Sequence, residues 1–161
     1  MDLAGRYRSA ASRQKVWDGL NDPEMLKQSI PGCEELNQDS PTSFSAVVGA
    51  KLGPVKAKFT GSVDLEDLNP PASYTLRGEG KGGVAGFGKG AADVQLVEEA
   101  PDVTLLTYTA NAQIGGKLAQ IGSRLLKGSV KKLAGEFFTN FASNLGAEAE
   151  ELPVEEDGAT A

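Results

Sequence analysis

Apolar and polar residues alternate from the start of the chain: Leu3, Gly5 and Tyr7 fall on one side and Arg6 and Arg8 on the other, the period-two mark of a half-buried strand. Ser12 then offers a helix N-cap before a segment in which Val16, Trp17 and Leu20 share a face, and Asn21-Asp22 ends it. Pro23 suits the first turn of a second short helix, which Pro31-Gly32 stops. From Glu34 to Ile114 the period returns to two. In its clearest stretch Val55, Ala57, Phe59, Gly61, Val63 and Leu65 alternate with Lys56, Lys58, Thr60, Ser62, Asp64 and Glu66. Phe44/Ala46/Val48, Tyr74/Leu76/Gly78/Gly80, Ala92/Val94/Leu96 and Leu106/Tyr108/Ala110/Ala112 repeat that sidedness, separated by turn signals at Pro41, Asn69-Pro70-Pro71 and Pro101-Asp102. Strands so closely spaced, each with one apolar face, predict an antiparallel meander.

Near Gly115-Gly116 the period changes again. Leu118, Ile121, Leu125, Leu126, Val130, Leu133, Phe137, Phe141 and Leu145 recur mostly every three to five residues, which predicts one long amphipathic helix to about Leu145. Its other side carries Lys117, Arg124, Lys127, Lys131 and Lys132 with Glu136 as the one acid, a basic strip that reads either as solvated, snorkelling side chains or as a docking strip for an anionic membrane or an acidic partner. The element order predicts an α+β fold: a curved antiparallel sheet of about seven strands wrapped around a long C-terminal helix, with two short helices after the first strand. One helix across a wide sheet need not fill the concavity. Gly78, Gly80, Ala92, Ala110 and Ala112 leave room there for an apolar ligand, unless neighbouring large side chains take up the volume.

Composition narrows the chemistry. The 161 residues contain no histidine, which removes Ser-His-Asp and Cys-His nucleophile systems and His-ligated zinc. One cysteine, Cys33, allows neither an internal disulfide nor a thiolate metal site of its own, and without a histidine to activate it reads as a structural thiol. The net charge is −6, but the acids from Glu148 to Asp157 account for it and the rest of the chain is formally neutral. This acidic end is expected to be a solvated tail, with an acidic docking peptide as the alternative. No apolar run is long enough to span a membrane and the first residues do not resemble a secretory signal, so a cytoplasmic location is expected. Nucleic acid is not an expected partner, because no aromatics are interleaved with the bases.

The stretch from Gly78 to Gly90 matches G-x-G-x-x-G and part of a P-loop, yet it leads into a strand, where no helix N-terminus can meet a phosphate, and Gly90 stands where the P-loop hydroxyl would be. It reads as a glycine-rich hairpin with Phe87 at its tip and Lys81 and Lys89 beside it, either a gate to the concavity or a plain solvated turn. Asp64, Glu66 and Asp67 lie at a strand end without the burial that would raise a carboxyl pKa, and no catalytic residues are assigned.

Four strings in this order, Ile30-Pro31-Gly32-Cys33-Glu34-Glu35-Leu36, Gly53 to Gly61 (GPVKAKFTG), Gly78 to Gly83 (GEGKGG) and Gly115 to Leu125 (GGKLAQIGSRL), together with Trp17 and Asn21-Asp22-Pro23, resemble the carbon monoxide dehydrogenase G-subunit family over about Leu3 to Leu145. The resemblance implies a helix-grip domain over residues 1–146, related to START-like lipid-transfer domains and polyketide cyclases, followed by an acidic disordered tail over 147–161. It further implies an accessory protein, not itself the oxidoreductase, that recruits a molybdenum-dependent carbon monoxide dehydrogenase or related hydroxylase to the inner face of the cytoplasmic membrane. The bound ligand it implies is a quinone, menaquinone or ubiquinone, held without a covalent cofactor. Some members carry a longer C-terminal extension that reaches the membrane, where this chain has its acidic end. Sidedness supplies the expected ligand walls: Phe59, Tyr74, Leu76, Phe87 and Tyr108 from the sheet, and Leu118, Ile121, Leu125 and Phe137 from the helix. Tyr74 or Tyr108 is the expected partner of a quinone carbonyl. Competing readings are an adaptor with a filled interior that works through its basic helix face, and an enzyme of the cyclase or hydratase type.

Overall fold

A computed structural model describes residues 1–154. Strand β1 (Asp2–Ser9) is followed by two short helices, α1 (Arg13–Leu20) and α2 (Pro23–Ser29), whose ends the sequence signals mark closely. The Ser12 hydroxyl accepts from the Lys15 N–H at 3.2 Å, and the Asp22 carboxylate accepts from Glu24 N–H at 3.0 Å, so each helix begins on a side-chain cap. Asn21 closes α1 by donating its side-chain amide to the Trp17 carbonyl, 2.9 Å away. Strands β2 (Cys33–Ser40), β3 (Ser43–Leu52), β4 (Val55–Asn69), β5 (Ser73–Lys81), β6 (Phe87–Ala100) and β7 (Val103–Gly115) form the meander. With β8 (Ala149–Leu152) they make an eight-stranded antiparallel sheet in the order β2-β3-β4-β5-β6-β7-β1-β8.

The register places the predicted apolar sets on one face: Leu65 opposite Leu76, Leu76 opposite Ala92, and Tyr74 opposite Val94, itself opposite Tyr108. Register shifts at Gln38/Ser40, Glu66/Asn69 and Glu98/Ala100 lie beside the turns that join β2 to β3, β4 to β5 and β6 to β7, and a fourth, at Cys33/Glu35, lies where β2 begins. Three of these four irregularities fall at one end and curl the sheet there, and the core sits in that curl. Trp17 and Leu20 from α1, Phe44, Leu65, Tyr74, Leu96 and Leu106 from the sheet, and Phe141 and Leu145 from the last helix are all buried in one cluster. Trp17 meets the Tyr74 ring edge-on at 5.5 Å.

Three expectations are corrected: the strand count, the tail and the single long helix. The sheet has eight strands where about seven are predicted, because Ala149–Leu152, inside the segment expected to be a solvated tail, pairs with β1 from Arg6 to Ser9. Burying a strand edge can outweigh low apolar content, since each backbone group gains a partner. The rest of that expected tail, residues 155–161, lies outside the described residues. The predicted single helix from Gly115 is two: α3 (Lys117–Gln120) and α4 (Ser123–Asn144), separated at Gly122, whose φ of +90° no helix contains. Apolar spacing is blind to this break, because Leu118, Ile121 and Leu125 keep helical intervals across it.

Candidate functional site

The concave face of the sheet and α4 enclose a cavity of about 540 Å³ with almost wholly apolar walls, within the range of ligand pockets (roughly 300–1,000 Å³). Phe44, Phe59, Leu65, Tyr74, Leu76 and Tyr108 line it from the sheet, Val130, Ala134, Phe137 and Phe138 from α4, and Leu20, Leu26 and Ile30 from the short helices and the residue that ends them. The interior is therefore not filled by large side chains. Small residues explain why: Ala46, Gly61, Gly80 and Ala92 lie in the wall, and a Cβ built on Gly80 would meet nothing within 4 Å. Ala92 pairs with Ala110, and Gly80 with Gly61 on one side and Gly88 on the other, so the emptiness runs across neighbouring strands.

Burial is graded along the cavity. At the curled end Leu20, Phe44, Leu65, Tyr74, Val94 and Leu106 are buried, whereas Val48, Phe59, Gly80 and Val130 toward the other end are half-exposed. The cavity is thus sealed by core at one end and opens toward the end that carries the β3–β4 and β5–β6 connections and the start of α4.

Polar features are few. Burial alone pushes the Tyr74 phenol up to about 12. Its side chain adds a hydrogen-bond donor to the otherwise apolar wall. Burial, then the nearby Glu151 carboxylate, also raises Tyr108. The Tyr108 ring lies flat over Gly5, where a Cβ would stand 2.2 Å from ring carbon Cε2, and 6.2 Å from the Phe138 ring, which stacks on Tyr7 at 4.1 Å. This stack holds α4 to β1. On the far flank, Asn140 and Asn144 of α4 donate to the carbonyl and hydroxyl of the fully buried Ser29, both at 3.1 Å, and the Ser29 hydroxyl donates to the Met25 carbonyl at 2.7 Å. The floor helix is thereby clamped to α2.

Of the residues expected to line a ligand site, Phe59, Tyr74, Leu76, Tyr108 and Phe137 come together in the cavity wall; Phe87, Leu118, Ile121 and Leu125 do not. Phe87 has the wrong parity: Gly88 and Gly90 face inward, so its ring turns outward and packs across the strand pair onto Gly115, remaining 46% exposed. Leu118 is buried, but in α3, which packs on β7 and on the 3-10 turn at Gly83–Ala85 that forms the hairpin tip. Ile121 and Leu125 cover Gly53 in the β3–β4 turn, whose N–H donates to the Ser129 hydroxyl at 2.9 Å, and Leu125 stays 52% exposed. The Gly122 break redirects all three helix residues. Phe138, Leu26 and Ile30 are walls that sequence reasoning missed; Phe138 adjoins Phe137, and a stripe drawn at single positions passes over it.

The basic residues Lys117, Arg124, Lys131 and Lys132 are exposed and Lys127 is half-buried. Among the described residues no cluster of three or more His, Cys, Asp or Glu could hold a metal, and no helix is long and apolar enough to cross a membrane. Asp64 accepts from the Ser43 hydroxyl at 2.6 Å and Glu66 pairs with Arg77, so both acids are engaged at the solvated edge.

Known proteins share this architecture. A conserved protein from Geobacillus kaustophilus superposes with a TM-score of 0.82 at 30% identity, covering 92% of this chain and 99% of its own. A START superfamily protein from Mycobacterium smegmatis gives a TM-score of 0.70 at 12% identity over 90% of this chain and 97% of that one. The ZhuI aromatase/cyclase from Streptomyces sp. R1128 gives 0.67 at 12% over 91% and 93%. The last two likenesses show a START-like, helix-grip fold. No curated protein matches the sequence significantly. The family model for the carbon monoxide dehydrogenase G subunit (CoxG) matches residues 5–146, nearly the whole of the described fold, and the chain belongs to that family.

Proposed function

We propose that this chain is an accessory subunit of a molybdenum-dependent carbon monoxide dehydrogenase that binds a quinone or similar lipid in its cavity and links the enzyme to the membrane quinone pool. The observation that carries the reading is the one-ended apolar cavity of about 540 Å³. Its walls fit such a ligand. A long apolar tail gains roughly 0.8 kcal/mol for each methylene it buries, and Tyr74 is a hydrogen-bond donor for a head-group carbonyl in otherwise apolar surroundings. The family supplies the association with the dehydrogenase. In this reading the chain binds, desolvates and presents the ligand, and the quinone, when bound, accepts the electrons that the partner enzyme releases. An adaptor with a filled interior has no observation in its favour, because the interior is open.

The chain has one tryptophan, Trp17, in edge contact with the cavity residue Tyr74. Quinones quench indole fluorescence at short range, so titration with a short-tailed quinone should give saturable quenching at one site per chain. Quenching that rises linearly, as for free tryptophan, would refute the reading. A second arm reconstitutes the dehydrogenase with a long-tailed quinone in vesicles, where reduction should depend on this chain.

A further inference from the structure

The last strand of the sheet covers only half of the edge on which it sits. Strand β1 pairs with β7 from Asp2 to Ser9, but with β8 only from Arg6 to Ser9. Among the described residues no strand pairs with Asp2–Gly5 on that side. Pro153 explains the stop: it follows β8 directly, in line to meet Gly5, and has no N–H to give to a ladder. Burial does not hold β8 either. Ala149 and Leu152 are half-buried and Glu150 and Glu151 exposed, and a polar groove of about 550 Å³ separates the strand from α4.

Backbone pairing and charge hold it instead. On the outer face Arg8 stands opposite Glu150, with 3.9 Å between guanidinium and carboxylate, while it grips Glu99 at 2.6 Å, and Arg6 donates to the Pro153 carbonyl at 3.2 Å. On the inner face Glu151 stands opposite Tyr7, and the two side chains meet over Gly135 of α4, where a Cβ would be 3.8 Å from the carboxylate and 3.9 Å from the hydroxyl. Lys131 and Lys132 line the same groove, and Glu136 is the one acid that α4 adds there. The seat thus offers bases to both faces of a strand, and β8 answers with acids at two successive positions, one to each face.

We infer that the outer edge of β1 is a docking site for an extended acidic segment of a partner protein, which displaces β8 and pairs with β1 along its whole length. Strand addition takes its affinity from the backbone ladder and its specificity from the side chains on each face. The chemistry required is two successive acids opposite Tyr7 and Arg8, followed by small or apolar residues, and no proline, opposite Gly5, Ala4 and Leu3. Being tethered, β8 holds the seat at high effective concentration, so a competitor needs further contacts to win. The uncovered half of β1 supplies them. A second copy of this chain fits worse: its β1 would bring Arg6 and Arg8 against the same bases, and its β8 carries the same proline. The inference goes beyond the carrier reading and does not depend on what the cavity holds.

The test uses the full chain and two labelled peptides, Ala-Glu-Glu-Leu-Thr-Val-Thr-Val and its counterpart with lysine in place of both glutamates, followed by fluorescence anisotropy. The acidic peptide should bind and the basic one should not. Glu151→Pro, which takes an acid and an N–H from β8, frees the seat and should tighten binding of the acidic peptide by about tenfold. Adding Arg8→Gln to that variant should weaken it again by about fivefold. Amide hydrogen exchange on the unaltered chain, saturated with the acidic peptide, reads the displacement directly: exchange should speed up at residues 149–152 and slow down at residues 2–5. Equal binding of the two peptides, no binding of the acidic peptide to either form of the chain, or binding that leaves exchange at residues 149–152 unchanged would overturn the proposal.

Discussion

Gly80 lies on the inner face of β5, lines the cavity and has no atom within 4 Å of the place a Cβ would occupy. Replacing it with leucine puts four carbons into the empty space without displacing a wall residue. If an apolar tail occupies that space, about four of its methylenes are displaced, at roughly 0.8 kcal/mol each. The sum is about 3 kcal/mol, or close to 200-fold in Kd. The effect on the free protein has the opposite sign. Glycine in a strand is entropically costly, by about 0.5–1 kcal/mol relative to alanine, and the new side chain gains apolar contacts. Gly80→Leu should therefore raise Tm by roughly 2–4 °C, the shift that about 1 kcal/mol produces at this chain length. The assay is Trp17 quenching by a short-tailed quinone, beside a thermal melt. Unchanged affinity in a folded variant would show that ligand does not occupy the cavity, and a Tm lowered by several degrees would show that the space is not empty.

Gly5→Ala drives a Cβ into the Tyr108 ring and should cost about 1–3 kcal/mol of stability by urea unfolding; in a Tyr108→Leu background the same change should cost much less, and equal costs would refute the contact. Ser29→Ala should lose about 1 kcal/mol, and adding Asn144→Ala should then lose little more, since both act through one clamp; full additivity would contradict it. The Tyr74 phenol is pushed up to about 12 in the folded protein, against about 10 in an unfolded chain. Between those values the native state keeps a proton that the unfolded state has lost. The contribution is whole below pH 10 and is lost as pH rises toward 12, by on the order of 2–3 kcal/mol. Thermal melts over that range should fall more steeply for the wild type than for Tyr74→Phe, and parallel curves would refute the assignment.

Most of the fold is legible in the sequence because each strand shows one apolar face and each short helix begins on a capping side chain. What escapes it are features that local pattern does not encode. The break at Gly122 depends on a backbone angle, and helical spacing survives on either side of it. Strand β8 depends on an edge offered by β1, residues far away in the chain. The candidate site divides along the same line. Strict alternation in the sheet identifies Phe59, Tyr74, Leu76 and Tyr108, whereas Phe87 occupies an odd position of β6, whose even positions Ala92 and Val94 line the cavity, and takes the outer face. On the helix, periodicity names the apolar stripe, but which part of the stripe meets cavity, hairpin turn or core is set by where the helix starts.

The most direct test of a ligand-carrying cavity is mass spectrometry of an organic extract from the purified protein after incubation with quinone-bearing membranes, run beside the same preparation of Gly80→Leu. A quinone or related lipid is expected at near one per chain in the wild type, and its loss from the folded variant. No lipid in either preparation, or equal amounts in both, would contradict the carrier reading.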